Sequence, residues 1–175
     1  MLLRPRARES RVNVVVIVGN PKVASRTRAA AEGVAERLTG ARAAQVIEVA
    51  ELGPHLLGWG APEVEAARRT VQNADLIVVA CPTFKATYTG LLKLFLDQFG
   101  AGELVGVVAI PVMLGAAPHH SLAPELTLKP VLVEIGCSCP TPALYLLDSN
   151  VSPEAIPDAW IERSRRAIPF LQEQA

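Results

Sequence analysis

Residues 12–27 read VNVVVIVGNPKVASRT, and the fold turns on how this stretch divides. Val12–Val18 is a short β-branched run, apolar on both faces, which predicts a strand buried between two layers. Gly19-Asn20-Pro21 ends the run. Ser25 reads as a helix N-cap, and Arg26–Leu38 follows with alanines and apolar residues at helical spacing, closing near Thr39-Gly40. A buried strand feeding a helix through a tight turn is the opening of a βαβ unit.

The remaining chain continues that alternation. Ala44–Val49 is a weaker strand, and residues 51–63 (ELGPHLLGWGAPE) form a Gly/Pro-rich connection to a helix over Glu63–Asn73. Leu76–Cys81 is a third buried strand, Pro82–Thr89 a loop, and Gly90–Phe99 a helix. Leu104–Val112 is a fourth strand, broken near its end by Pro111, and residues 113–118 make a turn-rich loop. His119–Glu134 is helical with prolines at 124 and 130, Ala143–Leu147 is the fifth strand, and Pro153–Gln174 the closing helix. The order implies a parallel sheet with right-handed crossovers and helices on both faces. Such sheets bind ligands outside the carboxyl ends of their strands, where the strand order reverses. The loops to inspect are therefore 19–26, 82–90 and 113–121.

At 175 residues with half of them apolar, the chain has enough for one domain and an ordinary core. Residues 1–11 (MLLRPRARESR) read as a polar, frayed tail, a solvated end rather than a binding arm, leaving 12–175 as the single domain. Seventeen basic and 17 acidic residues cancel, which removes any global argument for nucleic acid or an anionic membrane as partner. Four Phe, two Tyr and two Trp are too few for a surface built on base stacking. No apolar run approaches the roughly 20 residues needed to span a bilayer, and the Arg-rich start lacks the apolar stretch of a secretory signal. Cys81, Cys137 and Cys139 fit neither a zinc knuckle nor a CxxC pair, so a cytoplasmic location with free thiols is expected.

Each of the three loops carries two readings. In Gly19-Asn20-Pro21-Lys22-Val23-Ala24-Ser25-Arg26-Thr27, the glycine permits an abrupt turn and hydroxyls cluster at a helix start. The unpaired N–H groups there can hold a phosphate, or Ser25 can be a plain cap. Neither GxxxxGK[ST] nor GxGxxG is present. Residues 81–90 (CPTFKATYTG) place Phe84 and Tyr88 among small hydroxylated residues, suiting either the margin of a flat conjugated ligand or the plugging of a helix onto the sheet. Residues 113–120 (MLGAAPHH) are small enough for close approach of a ring; the adjacent histidines point apart on a helix and lack a third metal ligand. No GxSxG elbow is present to carry a nucleophile. Asp75 at a strand start and Asp97, paired with Lys93 four residues earlier, read as structural.

These loops are similar to a known family. Residues 16–27 (VIVGNPKVASRT) resemble the GSP[RK]xxS phosphate loop of the NADPH-dependent FMN reductases. Residues 82–97 (PTFKATYTGLLKLFLD) resemble the family segment P-x-[YF]-[KN]-x-x-Y-[ST]-G-x-L-K-x-[FL]-[LI]-D. Residues 128–132 (LKPVL) resemble a helix in the reductases that supply reduced flavin to alkanesulfonate monooxygenases. The likeness covers about residues 12–150. It implies a flavodoxin-like three-layer α/β/α sandwich with a five-stranded parallel sheet of order 2-1-3-4-5. It further implies hydride transfer from NADPH or NADH to FMN without a catalytic side chain or a metal, and a homodimer or homotetramer. Ser25 and Thr27 would bind the FMN phosphate beside Gly19, Asn20 and Arg26, and Lys22 would meet a cofactor phosphate. Pro82, Thr83, Phe84 and Lys85 would line the isoalloxazine, with Gly115 and Ala116 at a small-residue turn against the ring. Asn20 stands where the family has Ser, Phe84 where Tyr is commoner, and LGAA where GG and a hydroxyl often occur; Glu125-Leu126-Thr127 precedes LKP where the alkanesulfonate branch often has Tyr. A flavodoxin-type electron carrier, a quinone or azo-dye reductase, and a flavin-free regulatory member are the alternatives on this fold. The carrier is disfavoured by zero net charge, since such carriers are typically acidic.

Overall fold

The structure is a computed structural model that describes residues 12–172. The expected tail 1–11 and the last residues of the expected closing helix lie outside the described residues. The strands are β1 (Val14–Val18), β2 (Gln45–Glu48), β3 (Leu76–Pro82), β4 (Val108–Gly115) and β5 (Leu144–Leu147). They form one parallel sheet in the order β2-β1-β3-β4-β5, the flavodoxin-like order. Val16 stands beside Val46 and Val78, so the first strand written in the sequence is interior to the sheet.

Strand alternation divides the core in two. Val14, Val16 and Val18 face the side covered by α1 (Arg26–Thr39) and α6 (Asp158–Ala167), where Val34, Leu38 and Ile161 meet them. Val15 and Ile17 face the opposite side, packed with Leu92 and Phe95 of α4 (Gly90–Leu96) and with Val64 of α3 (Pro62–Gln72). Burial on both faces is what makes β1 and β3 continuous apolar runs rather than alternating ones. α1 obeys its sequence signals closely: Ser25 caps it, Gly40 closes it at φ +72, and the Gly40 N–H donates to Glu36 O at 2.8 Å.

Several boundaries move. The connection at 51–63 contains structure: the short helix α2 (Val49–Leu52) and a 3-10 turn, Gly53–Leu57, bury Val49 and Leu56 under the sheet. β4 starts at Val108 rather than Leu104, because Gly102 at φ +72 and Gly106 at φ +97 fold residues 102–107 into turns. Pro111 does not break this strand. Ala109 N–H donates to Ser138 O, so Pro111, two residues on, turns its missing donor to the same side, in the gap before the β4–β5 pairing begins at Val112–Leu144. The expected helix 119–134 is three pieces: a 3-10 turn Pro118–His120, a π-helical turn Pro124–Leu128 and α5 (Lys129–Glu134). Likewise Pro153, Pro157 and Pro169 divide the closing helix into a 3-10 turn, α6 and α7 (Pro169–Gln172).

Candidate functional site

A cavity of about 480 Å³ opens at the carboxyl ends of β1, β3 and β4. Its size suits a cofactor-sized ligand. Of the residues singled out in the sequence, Asn20, Lys22, Ser25, Arg26, Thr27, Pro82, Thr83, Phe84, Gly115 and Ala116 line it; Gly19 and Lys85 do not. Ala24, Leu114 and Asp148 complete the wall. Another cavity of about 430 Å³, beside Glu32, Glu36 and Arg42, lies away from the strand ends.

The first loop is held by its own polar atoms. Asn20 Nδ2 donates to Thr27 Oγ1 at 2.8 Å, and Asn20 Oδ1 accepts the Lys22 N–H at 2.9 Å. Thr27, having accepted, keeps its hydroxyl proton for a ligand. Ser25 is nearly buried and its Oγ accepts the Arg28 N–H at 3.4 Å. The first turn of α1 holds no acidic residue, so the partial positive charge of that end is not neutralised from within the helix. Arg26 reaches across to β5: its guanidinium donates to the Asp148 carbonyl at 2.5 Å and lies 3.9 Å from the Asp148 carboxylate.

Gly19 acts differently from the sequence reading. Its φ is not among the positive ones, so conformational freedom is not the need. A β-carbon there would fall 2.5 Å from Leu92 Cβ, so glycine is required for α4 to close against β1. Buried Thr89 fastens the same contact: its hydroxyl donates to Gly19 O at 2.6 Å and accepts the Leu92 N–H at 3.1 Å, capping α4.

In the second loop, Phe84 and Thr87 exchange backbone hydrogen bonds (2.9 and 3.3 Å) across Lys85 and Ala86, at φ +53 and +67. Two successive left-handed residues make a type I′-like hairpin turn. This places Lys85 exposed at the tip instead of at the cavity wall. The two aromatics separate: Tyr88 packs against the core, while Phe84 is 51% exposed and lines the cavity. Thr83 N–H donates to Leu114 O at 2.6 Å, and its hydroxyl is buried beside the Tyr145 phenol.

The third loop is a correction. Met113–Gly115 belongs to β4, and Gly115 is buried under Tyr145, not presented on an open turn. Tyr145 donates its hydroxyl to Ala117 O at 2.6 Å. Burial pushes its phenol up, the Thr83 hydroxyl opposes that, and the Asp148 charge adds to it. His119 and His120 contact each other, and no group of three metal-capable side chains occurs among the described residues. Burial pushes Cys81 and Cys137 up to about 12 and Cys139 to about 11, so all three free thiols are protonated near neutrality. Asp75 accepts the Asn13 N–H at 2.9 Å and Asp97 pairs with Lys93 at 2.5 Å, structural roles in both cases.

Sequence reasoning missed Ala24, Glu48, Asp148 and Tyr145. Glu48 and Asp148 follow directly on or end β2 and β5, so the rule that ligands gather at carboxyl strand ends was the available signal.

The family described as NADPH-dependent FMN reductase matches residues 12–150. The chain belongs to this family. It is 31% identical over 148 residues to an FMN reductase (NADPH) of Escherichia coli K12, covering 80% of this chain and 75% of that protein. It is 30% identical over 135 residues to the NADH-dependent FMN reductase SfnE of Pseudomonas putida, covering 69% and 68%. The crystal structure of an NADH:FMN oxidoreductase (EMOB) in its apo form superposes with a TM-score of 0.75 at 31% identity, over 92% of this chain and 88% of that one. As a member of the FMN reductases, the chain is an NAD(P)H-dependent FMN oxidoreductase whose cofactors are FMN and a nicotinamide nucleotide. The cavity suits such a flavin on its own terms: a helix start with no acidic residue in its first turn and the Thr27 hydroxyl proton at one end, and the exposed Phe84 ring at the other. No helix among the described residues is long and apolar enough to cross a membrane.

Proposed function

We propose that the cavity at the strand ends is the FMN site of this reductase, with its phosphate end at α1 and its ring end at β3 and β4. The observation that carries this reading is convergence: ten residues from three loops, singled out by sequence alone, line one cavity. Ser25, Thr27 and the first N–H groups of α1 hold the phosphate, with Arg26 above it and Asn20 bracing the loop. Pro82, Thr83 and Phe84 border the isoalloxazine on one side, and Ala116 with the backbone of Gly115 on the other. Lys22, exposed at the rim, meets a phosphate of the nicotinamide nucleotide. Gly19 and Lys85 contribute from outside the wall, Gly19 by letting α4 close and Lys85 as the tip of the bordering hairpin.

When bound, FMN would supply N5 as the acceptor of a hydride from the nicotinamide. The chain's part is to orient the ring against rigid strand ends and to exclude water from one face of it. We further propose a homodimer or homotetramer that passes reduced FMN to a flavin-dependent monooxygenase. Self-association is supported by α4 and α5, which flank a shared hollow, and by the exposed Leu94 and Val133 that the same two helices carry. The three thiols, all protonated, suit the cytoplasm. The test is an anaerobic absorbance titration of the purified chain with FMN, then NADPH or NADH. Bleaching of the flavin band on nicotinamide addition, with turnover in air dependent on FMN, is expected. Tight flavin binding without turnover would point to an electron carrier, and faster turnover of quinones or azo dyes than of FMN to a reductase of those acceptors.

A further inference from the structure

Glu48 carries none of the matched motifs and does not line the cavity, yet its side chain is 2% exposed. A carboxylate is costly to bury unless its oxygens are satisfied. Oε1 accepts the Ala24 N–H at 2.8 Å and lies 3.4 Å from Arg28 Nη1; Oε2 is buried without a hydrogen-bond partner. Arg28 does not need Glu48, because its Nε also donates to Glu32 at 3.3 Å. Ala24 is the group that depends on it. Ala24 sits at φ +49, a left-handed conformation that disfavours any residue with a β-carbon, and it immediately precedes the cap Ser25. No glycine relieves the strain; a buried acceptor from another strand holds the turn instead.

We infer that Glu48 is a positioning residue that sets the preference of the cavity for phosphorylated over unphosphorylated flavin. By holding the Ala24 N–H, it keeps the turn in which Ser25 and the first N–H groups of α1 face the cavity. The inference rests on the proposed phosphate end of the FMN site. Glu48 touches neither flavin nor nicotinamide, so its effect is confined to the phosphate and spares the ring.

The test compares dissociation constants for FMN and riboflavin, measured by flavin fluorescence quenching on the full chain, with thermal melts alongside. In Glu48→Ala, the preference for FMN over riboflavin falls roughly 10-fold while riboflavin affinity is unchanged. Glu48→Gln keeps an acceptor for the Ala24 N–H and retains most of the preference. Adding Ala24→Gly to Glu48→Ala restores it, because glycine adopts the left-handed turn unaided. Equal losses of FMN and riboflavin affinity, or no recovery with glycine, would overturn the inference. Should Glu48→Ala not fold, Ala24→Val at this exposed position strains the same turn; an unchanged preference there overturns the inference equally. A wild-type chain that binds FMN and riboflavin alike would instead refute the phosphate reading itself.

Discussion

Tyr145 lies across Gly115 so closely that a β-carbon on residue 115 would sit 2.0 Å from the phenol oxygen and 2.9 Å from Cζ. The same hydroxyl holds the Ala117 carbonyl, so one ring both fills the space above the end of β4 and anchors the loop that follows. Gly115→Ala must expel that ring. We expect a loss of roughly 1–3 kcal/mol in stability, as for overpacking, together with weaker FMN binding. Adding Tyr145→Phe removes the nearer atom and recovers part of the stability; a double-mutant cycle read by denaturant melts shows the coupling. Additive effects would contradict this account.

Gly19→Ala is expected to destabilise the chain by a similar amount, about 1–3 kcal/mol, because Leu92 Cβ has no room to retreat within α4. The lost contact lies between β1 and α4, where Thr89 binds Gly19 O, so urea midpoints fall even in the absence of flavin. A melt matching wild type would show that the backbone shifts freely there.

Ser25→Ala is expected to weaken FMN binding by about 1–3 kcal/mol, the cost of leaving a charged acceptor short of a donor. It also removes the cap of α1, worth roughly 1 kcal/mol of stability. Riboflavin affinity serves as the control, since only the phosphate loses a partner. Equal weakening of both flavins would move the phosphate elsewhere.

Acid sensitivity has a named source in Glu103. Burial pushes its carboxyl up, but the Gly100 N–H, Arg68 and Gln72 outweigh that and hold it below its ordinary value of 4.5. A depressed carboxylate contributes stability that is fully present above the ordinary value and is lost as pH falls through the lower folded-state one. Glu103→Gln should therefore lower the melting temperature at pH 7 and flatten its decline in acid. Curves that stay parallel down to about pH 3 would exonerate Glu103.

The sequence was most legible where a local signal had one physical meaning. Ser25 and Gly40 bracket α1 because a cap oxygen and a left-handed glycine act within four residues of themselves. The β-branched run Val12–Val18 and the apolar run Leu76–Cys81 pointed to strands covered on both sides, and the βα alternation to a parallel sheet. Boundaries failed where the apolar pattern ran on with little punctuation. Leu104–Leu114 is apolar apart from Gly106, the one residue that marked the turns before Val108, and Pro111 looked like a stop. The site followed the same division. Loops one and two carry their chemistry in consecutive residues, whereas Glu48, Asp148 and Tyr145 arrive from distant strands. Their partners, Ala24, Arg26 and Gly115, stand 24, 122 and 30 positions away. Only tertiary structure brings such pairs together.

Pro111 offers no proton, and the fourth strand meets the chain beyond it in two separate stitches, an isolated bridge from Val108 to Ser138 and the pairing with the fifth strand from Leu144 onward. Each is short, and the slack between them lies immediately before the residues that carry Tyr145 and Asp148. Opening that second stitch would free Tyr145 and Asp148 from the end of the fourth strand while leaving the first closed, so the hold on that wall rests on four residue pairs.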